Sequence, residues 1–233
     1  CLELTEANFD HMTIWNIHCL SSIFENLTTN IEKLSLAGTT ISINDITEIM
    51  TRCKKITHLN LTWAHLHTSR IRTIKFPKKT QLISLYLRGF DIEFKFLEML
   101  ILSCENTLQV LDISYCDMTS EAIQLIVSKC LTLTAVDFCG EKHTAFSCKN
   151  ITPNIEKVSL SRTDVSNDEI KTLVRRCEKI KELDISHTSV DIDVVVDEII
   201  LHLSSTLETL RLPITNPARF SKFDTCSLFK FGS

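Results

Sequence analysis

Glycine is scarce in this chain, with four in 233 residues, and there are only four prolines, two tryptophans and two tyrosines. So few glycines leave no loop able to cradle a phosphate, and no P-loop, G-x-S-x-G elbow or H-E-x-x-H pair is present. Cations are not in excess: 25 Lys and Arg against 29 Asp and Glu give a net charge of −4 and a pI near 6.1. Nucleic acid is therefore an unexpected partner, since no basic field faces a phosphate backbone. Long apolar runs are missing too: Val194-Val195-Val196 and Ile199-Ile200-Leu201 are interrupted by Asp193, Asp197 and Glu198. A bilayer span needs roughly 20 apolar residues, so we expect no membrane helix. Cys139, His143 and Cys148 include no C-x-x-C pair and lack a fourth ligand, and no metal or cofactor is expected. Asp191, Asp193, Asp197 and Glu198 read as a solvated helix start rather than an acid/base pair. With no nucleophile, base or metal constellation at workable spacing, we expect no enzyme. The first residue is Cys1 rather than Met, and we expect the chain to be part of a longer one.

What the sequence does have is a clock. The segments IEKLSL at Ile31, ITHLNL at Ile56, LISLYL at Leu82, LQVLDI at Leu108, LTAVDF at Leu133, IEKVSL at Ile155, IKELDI at Ile180 and LETLRL at Leu207 share one template, apolar-x-x-apolar-x-apolar. Their starts are separated by 25, 26, 26, 25, 22, 25 and 27 residues. That spacing lies in the window of leucine-rich repeats. A partial unit is expected before them, with Leu2 and Leu4 as strand remnants and Ile14, Ile17, Leu20, Phe24 and Leu27 at helical spacing.

The second half of the unit recurs as well. Ile46, Ile49 and Cys53 stand at offsets 0, 3 and 7, as do Leu97, Leu100 and Cys104, Ile123, Ile126 and Cys130, and Ile170, Leu173 and Cys177. Those offsets share one helix face. Ser166 to Glu169 and Ser42 to Asp45 have the form of capping boxes. Each unit is therefore read as strand, turn, helix, and the fold class as an α/β leucine-rich-repeat solenoid, a horseshoe with parallel inner strands and outer helices. Stacking neighbours builds the core, each inward Leu or Ile contributing roughly 1.5 to 3 kcal/mol. We expect repeats over 1–212 and a Phe-bearing tail, 213–233, as a possible cap. Irregular outer segments are expected near Pro77 and Pro153. Recurring cysteines one helix diameter apart, roughly 10 Å, are too distant for disulfides and read as small buried hydrophobes, which points to a reducing cytoplasm or nucleus.

LDISYCDMTSEAIQLIVSKCLTL, Leu111 to Leu133, resembles the cysteine-containing leucine-rich repeat, with Cys116 after the strand and Cys130 closing the helix. That repeat is typical of F-box/leucine-rich-repeat proteins, and IKTLVRRCEKIKELDIS, Ile170 to Ser186, is similar to the S-phase kinase-associated group among them. The resemblance covers Ile31 to Leu212. It implies a substrate-recognition part of an SCF-type (cullin-RING) E3 ubiquitin ligase, joined to Skp1-cullin through an F-box that this sequence does not contain. Only Cys116 matches the post-strand cysteine, the equivalent positions being Thr39, Ala64, Phe90, Glu141, Thr163 and Thr188. An adaptor or scaffold unrelated to ubiquitin fits the same repeats. A small-molecule or inositol-phosphate receptor would need cations converging on the concave face. Lys33, Arg88, Lys157, Arg162 and Arg211 are instead spread over many strands, among Asp112, Asp137 and Asp184.

The template also locates a protein-binding surface. Its fourth and sixth positions point inward, so the third, fifth and seventh are expected on the concave face. The fifth position reads Ser35, Asn60, Tyr86, Asp112, Asp137, Ser159, Asp184 and Arg211, a ladder roughly 34 Å long at about 4.8 Å per strand. The seventh adds Arg88, and the eighth, where the strand ends, adds Trp63, Tyr115, Arg162 and His187. Aromatic residues and Arg dominate interface energetics, so the expected site is Trp63, Tyr86, Arg88, Asp112, Tyr115, Asp137, Arg162, Asp184 and His187. The acidic rungs suggest a partner with basic groups. Trp63 and Tyr115 could equally tuck under the loops as packing.

Overall fold

The structure is a computed structural model describing residues 4–12, 29–67, 76–140 and 147–213. Its contacts divide the chain into two compact units, Cys1–Cys116 and Asp117–Ser233. In the first, the described elements are β1 (Glu6–Asn8), β2 (Lys33–Ser35), β3 (Thr40–Ile41), α1 (Ile43–Arg52), β4 (His58–Asn60), β5 (His65–Leu66), β6 (Ser84–Tyr86), α2 (Phe94–Cys104) and β7 (Val110–Asp112). In the second they are α3 (Ser120–Lys129), β8 (Ala135–Asp137), a 3-10 turn at Cys148–Asn150, β9 (Lys157–Ser159), α4 (Asn167–Arg176), β10 (Glu182–Asp184), α5 (Ile192–Leu203) and β11 (Thr209–Arg211).

Equivalent template positions pair across parallel strands. Leu34 lies opposite Leu59, Leu59 opposite Leu85 and Leu85 opposite Leu111 in the first unit, and Val136, Val158, Leu183 and Leu210 align likewise in the second. First, fourth and sixth positions fill the core: Ile31, Leu34 and Leu36, and their counterparts through Leu207 and Leu210, are buried. Leu212, the last sixth position, is half-exposed.

Helices cover the other side of the strands. All four triplets ending in Cys53, Cys104, Cys130 and Cys177 are buried, and α5 repeats the spacing as Val196, Ile199 and Leu203, with leucine in the place of cysteine. Cys53, Cys130 and Cys177 end their helices, donating backbone N–H groups to Ile49, Ile126 and Leu173. No disulfide joins the described cysteines, and burial raises the Cys177 thiol to about 11. The post-strand position works by bonding back: Thr39, Thr163 and Thr188 hydroxyls donate to the carbonyls of Leu36, Leu160 and Ile185, and the Cys116 thiol faces the Leu87 carbonyl at 2.9 Å. Threonine and cysteine thus each supply a donor at this position, the threonines to their own repeat and Cys116 to the preceding one.

Several expectations need correction. The first described strand is Glu6–Asn8 rather than one at Leu4, which holds the first template position, with Ala7 and Phe9 as the fourth and sixth; Leu2 lies outside the described residues. Ser42 and Asp45 form a complete capping box, but Glu169 sends its carboxylate to the Cys148 N–H (2.6 Å), so Ser166 caps α4 alone. Residues 76–83 carry no helix, and near Pro153 a 3-10 turn replaces one, as expected of those two units. The helical spacing from Ile14 to Leu27, His143 and the tail after Pro213 lie outside the described residues.

Candidate functional site

Strands β1, β2, β4 and β6 to β10 end in the same turn. Hydrogen bonding to the next repeat continues past the strand: Leu61 donates to Tyr86 and Trp63 to Arg88, and Leu160 to Asp184 and Arg162 to Ser186. Then the ninth residue turns back, as in Ala64 to Leu61 and Phe90 to Leu87, and the chain leaves for the helical side. Reversal within one residue requires a left-handed backbone at the eighth position. It is found there in every repeat whose eighth residue is described: His11 (φ 57), Gly38 (65), Trp63 (53), Gly89 (62), Tyr115 (59), Gly140 (87), Arg162 (59) and His187 (57). For residues with a Cβ this conformation costs roughly 1–2 kcal/mol. Three of the four glycines in the chain are used here.

The same turn aims eighth-position side chains outward. Trp63 is 50% exposed and Tyr115 39%, so neither tucks beneath a loop. A Cβ on Gly89 would meet the six-membered ring of Trp63, and one on Gly38 would meet the imidazole of His11. Each ring therefore lies across the bare backbone of the following rung. Passing over Gly89, the indole reaches Tyr115, with centroids 6.3 Å apart and planes at 29°. The Arg88 guanidinium carbon stands 5.0 Å from the Tyr115 ring centre, a cation–π contact. Trp63, Arg88 and Tyr115 thus form one cluster in the first unit. Tyr86, half-exposed, borders a separate depression of about 180 Å³ lined by Glu6, Lys33, Ser35, His58 and Asn60.

The acidic rungs have a local task that sequence reasoning did not foresee. Asp112 Oδ1 accepts from the Ser114 N–H (2.9 Å) and hydroxyl (2.6 Å), and Asp184 does the same for Ser186. Asp137 accepts from the Cys139 N–H, and Asn60 from Thr62. These are Asx turns that satisfy an N–H where the ladder bends. The seventh position does not simply face outward, since Ala37, Ser114 and Ser161 are buried and Arg88 is half-exposed. In the second unit Arg162 and His187 are exposed at consecutive rungs, and Asp184 faces Arg211 at 3.7 Å. Gly38, Gly89 and His11 were missed as site-shaping residues, although the glycines share one template slot.

No protein-family model and no curated protein matches the chain. Solved structures do. The leucine-rich repeat-containing protein LegL7 of Legionella pneumophila aligns over 89% of this chain and 73% of its own, with a TM-score of 0.50 and 14% identity. Internalin C2 of Listeria monocytogenes aligns over 83% and 71% (TM-score 0.43, 13% identity). TLR13, solved as a complex with ssRNA13, aligns over 90% of this chain and 42% of its own (TM-score 0.39, 15% identity). With the 22- to 27-residue period and the parallel strand–turn–helix units, the likeness to LegL7 shows that this chain has the leucine-rich-repeat fold.

Proposed function

We propose that the chain is a protein-interaction module that takes its partner at the strand-exit edge of the first unit, on Trp63, Arg88 and Tyr115, with Tyr86 and Asp112 on the strands behind. The observation that carries this is the exposed Trp63–Tyr115 pair held over Gly89, with Arg88 on Tyr115. Clustered Trp, Tyr and Arg are the side chains that most often dominate an interface. An inter-repeat hydrogen bond joins the Trp63 N–H to the Arg88 carbonyl and holds those two backbones, so binding there orders little more than side chains. The finer reading rests on the resemblance of the cysteine-containing repeat: substrate recognition in an SCF-type ubiquitin ligase, in the cytoplasm or nucleus, with Skp1 reached through a separate F-box. An inositol-phosphate receptor is disfavoured because Lys33, Lys157 and Arg211 already face Glu6, Glu182 and Asp184. To test the proposal, the full-length protein and its Trp63→Ala/Tyr115→Ala variant are compared in cells by affinity purification. The expected result is that both recover Skp1 and the variant alone loses its substrate proteins. Failure of the unaltered protein to recover Skp1 removes the ubiquitin reading, and an unchanged set of bound proteins in the variant removes the docking edge.

A further inference from the structure

Arg88 is held differently from the lysines along the strands. Lys33 bonds Glu6 at 2.6 Å, Lys157 bonds Glu182 at 2.6 Å and Lys181 bonds Glu156 at 2.7 Å. Arg88 pairs with no carboxylate among the described residues; an aromatic ring, that of Tyr115, holds it. A guanidinium on a ring face keeps N–H donors available for an acceptor from outside. The ring also restricts the side chain before a ligand arrives, which removes part of the ordering cost. Beside this charge lies the exposed indole of Trp63. Asp112 adds a negative charge on the neighbouring strand, with Oδ1 committed to Ser114. That charge disfavours a dianionic ligand more than a monoanion.

We infer that Arg88, Trp63 and Tyr115 recognise a carboxylate side chain next to an apolar residue in an extended segment of the partner. Arg88 donates to the carboxylate, and the apolar neighbour lies on the indole. The inference rests on the docking edge proposed above and adds the chemistry it selects.

The probes are linear peptides from a randomised displayed library selected on the purified protein, expected to be enriched in Asp or Glu beside Leu, Phe or Trp. One selected peptide is then made with Glu, Gln or phosphoserine at the acidic position and titrated by fluorescence polarisation against the unaltered protein, Arg88→Gln, Arg88→Lys and Trp63→Ala. Glu to Gln in the peptide should weaken binding about tenfold with the unaltered protein and less than about twofold with Arg88→Gln, since the pair is then already broken. Arg88→Lys should keep part of the preference for Glu, and phosphoserine should bind no more tightly than Glu. Equal Glu-to-Gln losses in the two proteins, tighter binding of the phosphoserine peptide, or a library without acid enrichment would each overturn the carboxylate site. Peptides that show no acid preference but are weakened by Trp63→Ala would do so while leaving the docking edge standing. If neither Trp63→Ala nor Arg88→Gln changes binding of the selected peptides, both proposals fall.

Discussion

The two units make the same turn at each described eighth position and decorate it differently. In the first, side chain and glycine alternate: His11, Gly38, Trp63, Gly89, Tyr115. In the second, Gly140 is followed by two side chains in succession, Arg162 and His187. Neighbouring strands lie only about 4.8 Å apart, so an indole laid along the edge covers the next rung, which must then be bare. The backbone fixes where these side chains emerge. The residue one repeat further on decides whether a ring can lie flat, and among the described residues Gly38 and Gly89 of the first unit give large rings that space.

Four measurements would break or sharpen this contrast. The largest effect is on association: Trp63→Ala with Tyr115→Ala should weaken partner binding about a hundredfold, or ~3 kcal/mol, whereas Arg162→Ala with His187→Ala should cost less than about threefold. Equal losses, measured by titration calorimetry once the partner is known, would erase the distinction between the units. Next is Gly89→Ala, which combines the left-handed penalty with displacement of the indole and should cost about 2 kcal/mol in urea denaturation. In a Trp63→Ala background only the backbone share should remain, about 1 kcal/mol; an unchanged cost would mean that the ring is not what the glycine accommodates. In the second unit the sign should reverse, with Arg162→Gly relieving a left-handed residue that covers no glycine and raising stability by up to ~1 kcal/mol.

The smallest effect concerns acid. Hydrogen bonds from Lys181 and Arg175 hold Glu156 and Glu198 below the usual carboxylate range. A carboxylate with a lowered folded-state pKa stabilises above its unfolded value and loses that contribution as pH falls through the folded one. Both lie in the second unit, so limited proteolysis from about pH 5 down to about pH 3 should open that unit first. Earlier cleavage in the first unit would count against these pairs.

Much of this was legible in the sequence. The template positions and the buried helix triplets follow from a period that the core enforces, because each inward position is apolar in nearly every repeat; whether Trp63 and Tyr115 face solvent or pack under the loops stayed open. The left-handed eighth position was not legible. Trp63, Tyr115, Arg162 and His187 share it with three glycines, and no single residue type marks a conformation imposed by hydrogen bonding between repeats. Asp112, Asp137 and Asp184 were read as charges facing a partner because a one-dimensional template cannot show the N–H group two residues on that claims one oxygen. Glu169 was assigned to its own helix start for a similar reason: its actual acceptor role toward Cys148 lies 21 residues away.

The strand-exit turn also separates the visibility of a residue from the stability of its amide. Trp63 stands half in solvent, yet its N–H is bonded to the Arg88 carbonyl at 2.7 Å, and Gly89 donates to Ser114 at 2.8 Å. In the second unit Gly140 donates to Ser161 and Arg162 to Ser186. Each of these amides can exchange with deuterium only when one repeat parts from the next. A surface residue such as Trp63 should therefore exchange as slowly as its strand, and the rates at successive eighth positions would give a repeat-by-repeat measure of how firmly each interface within a unit is closed.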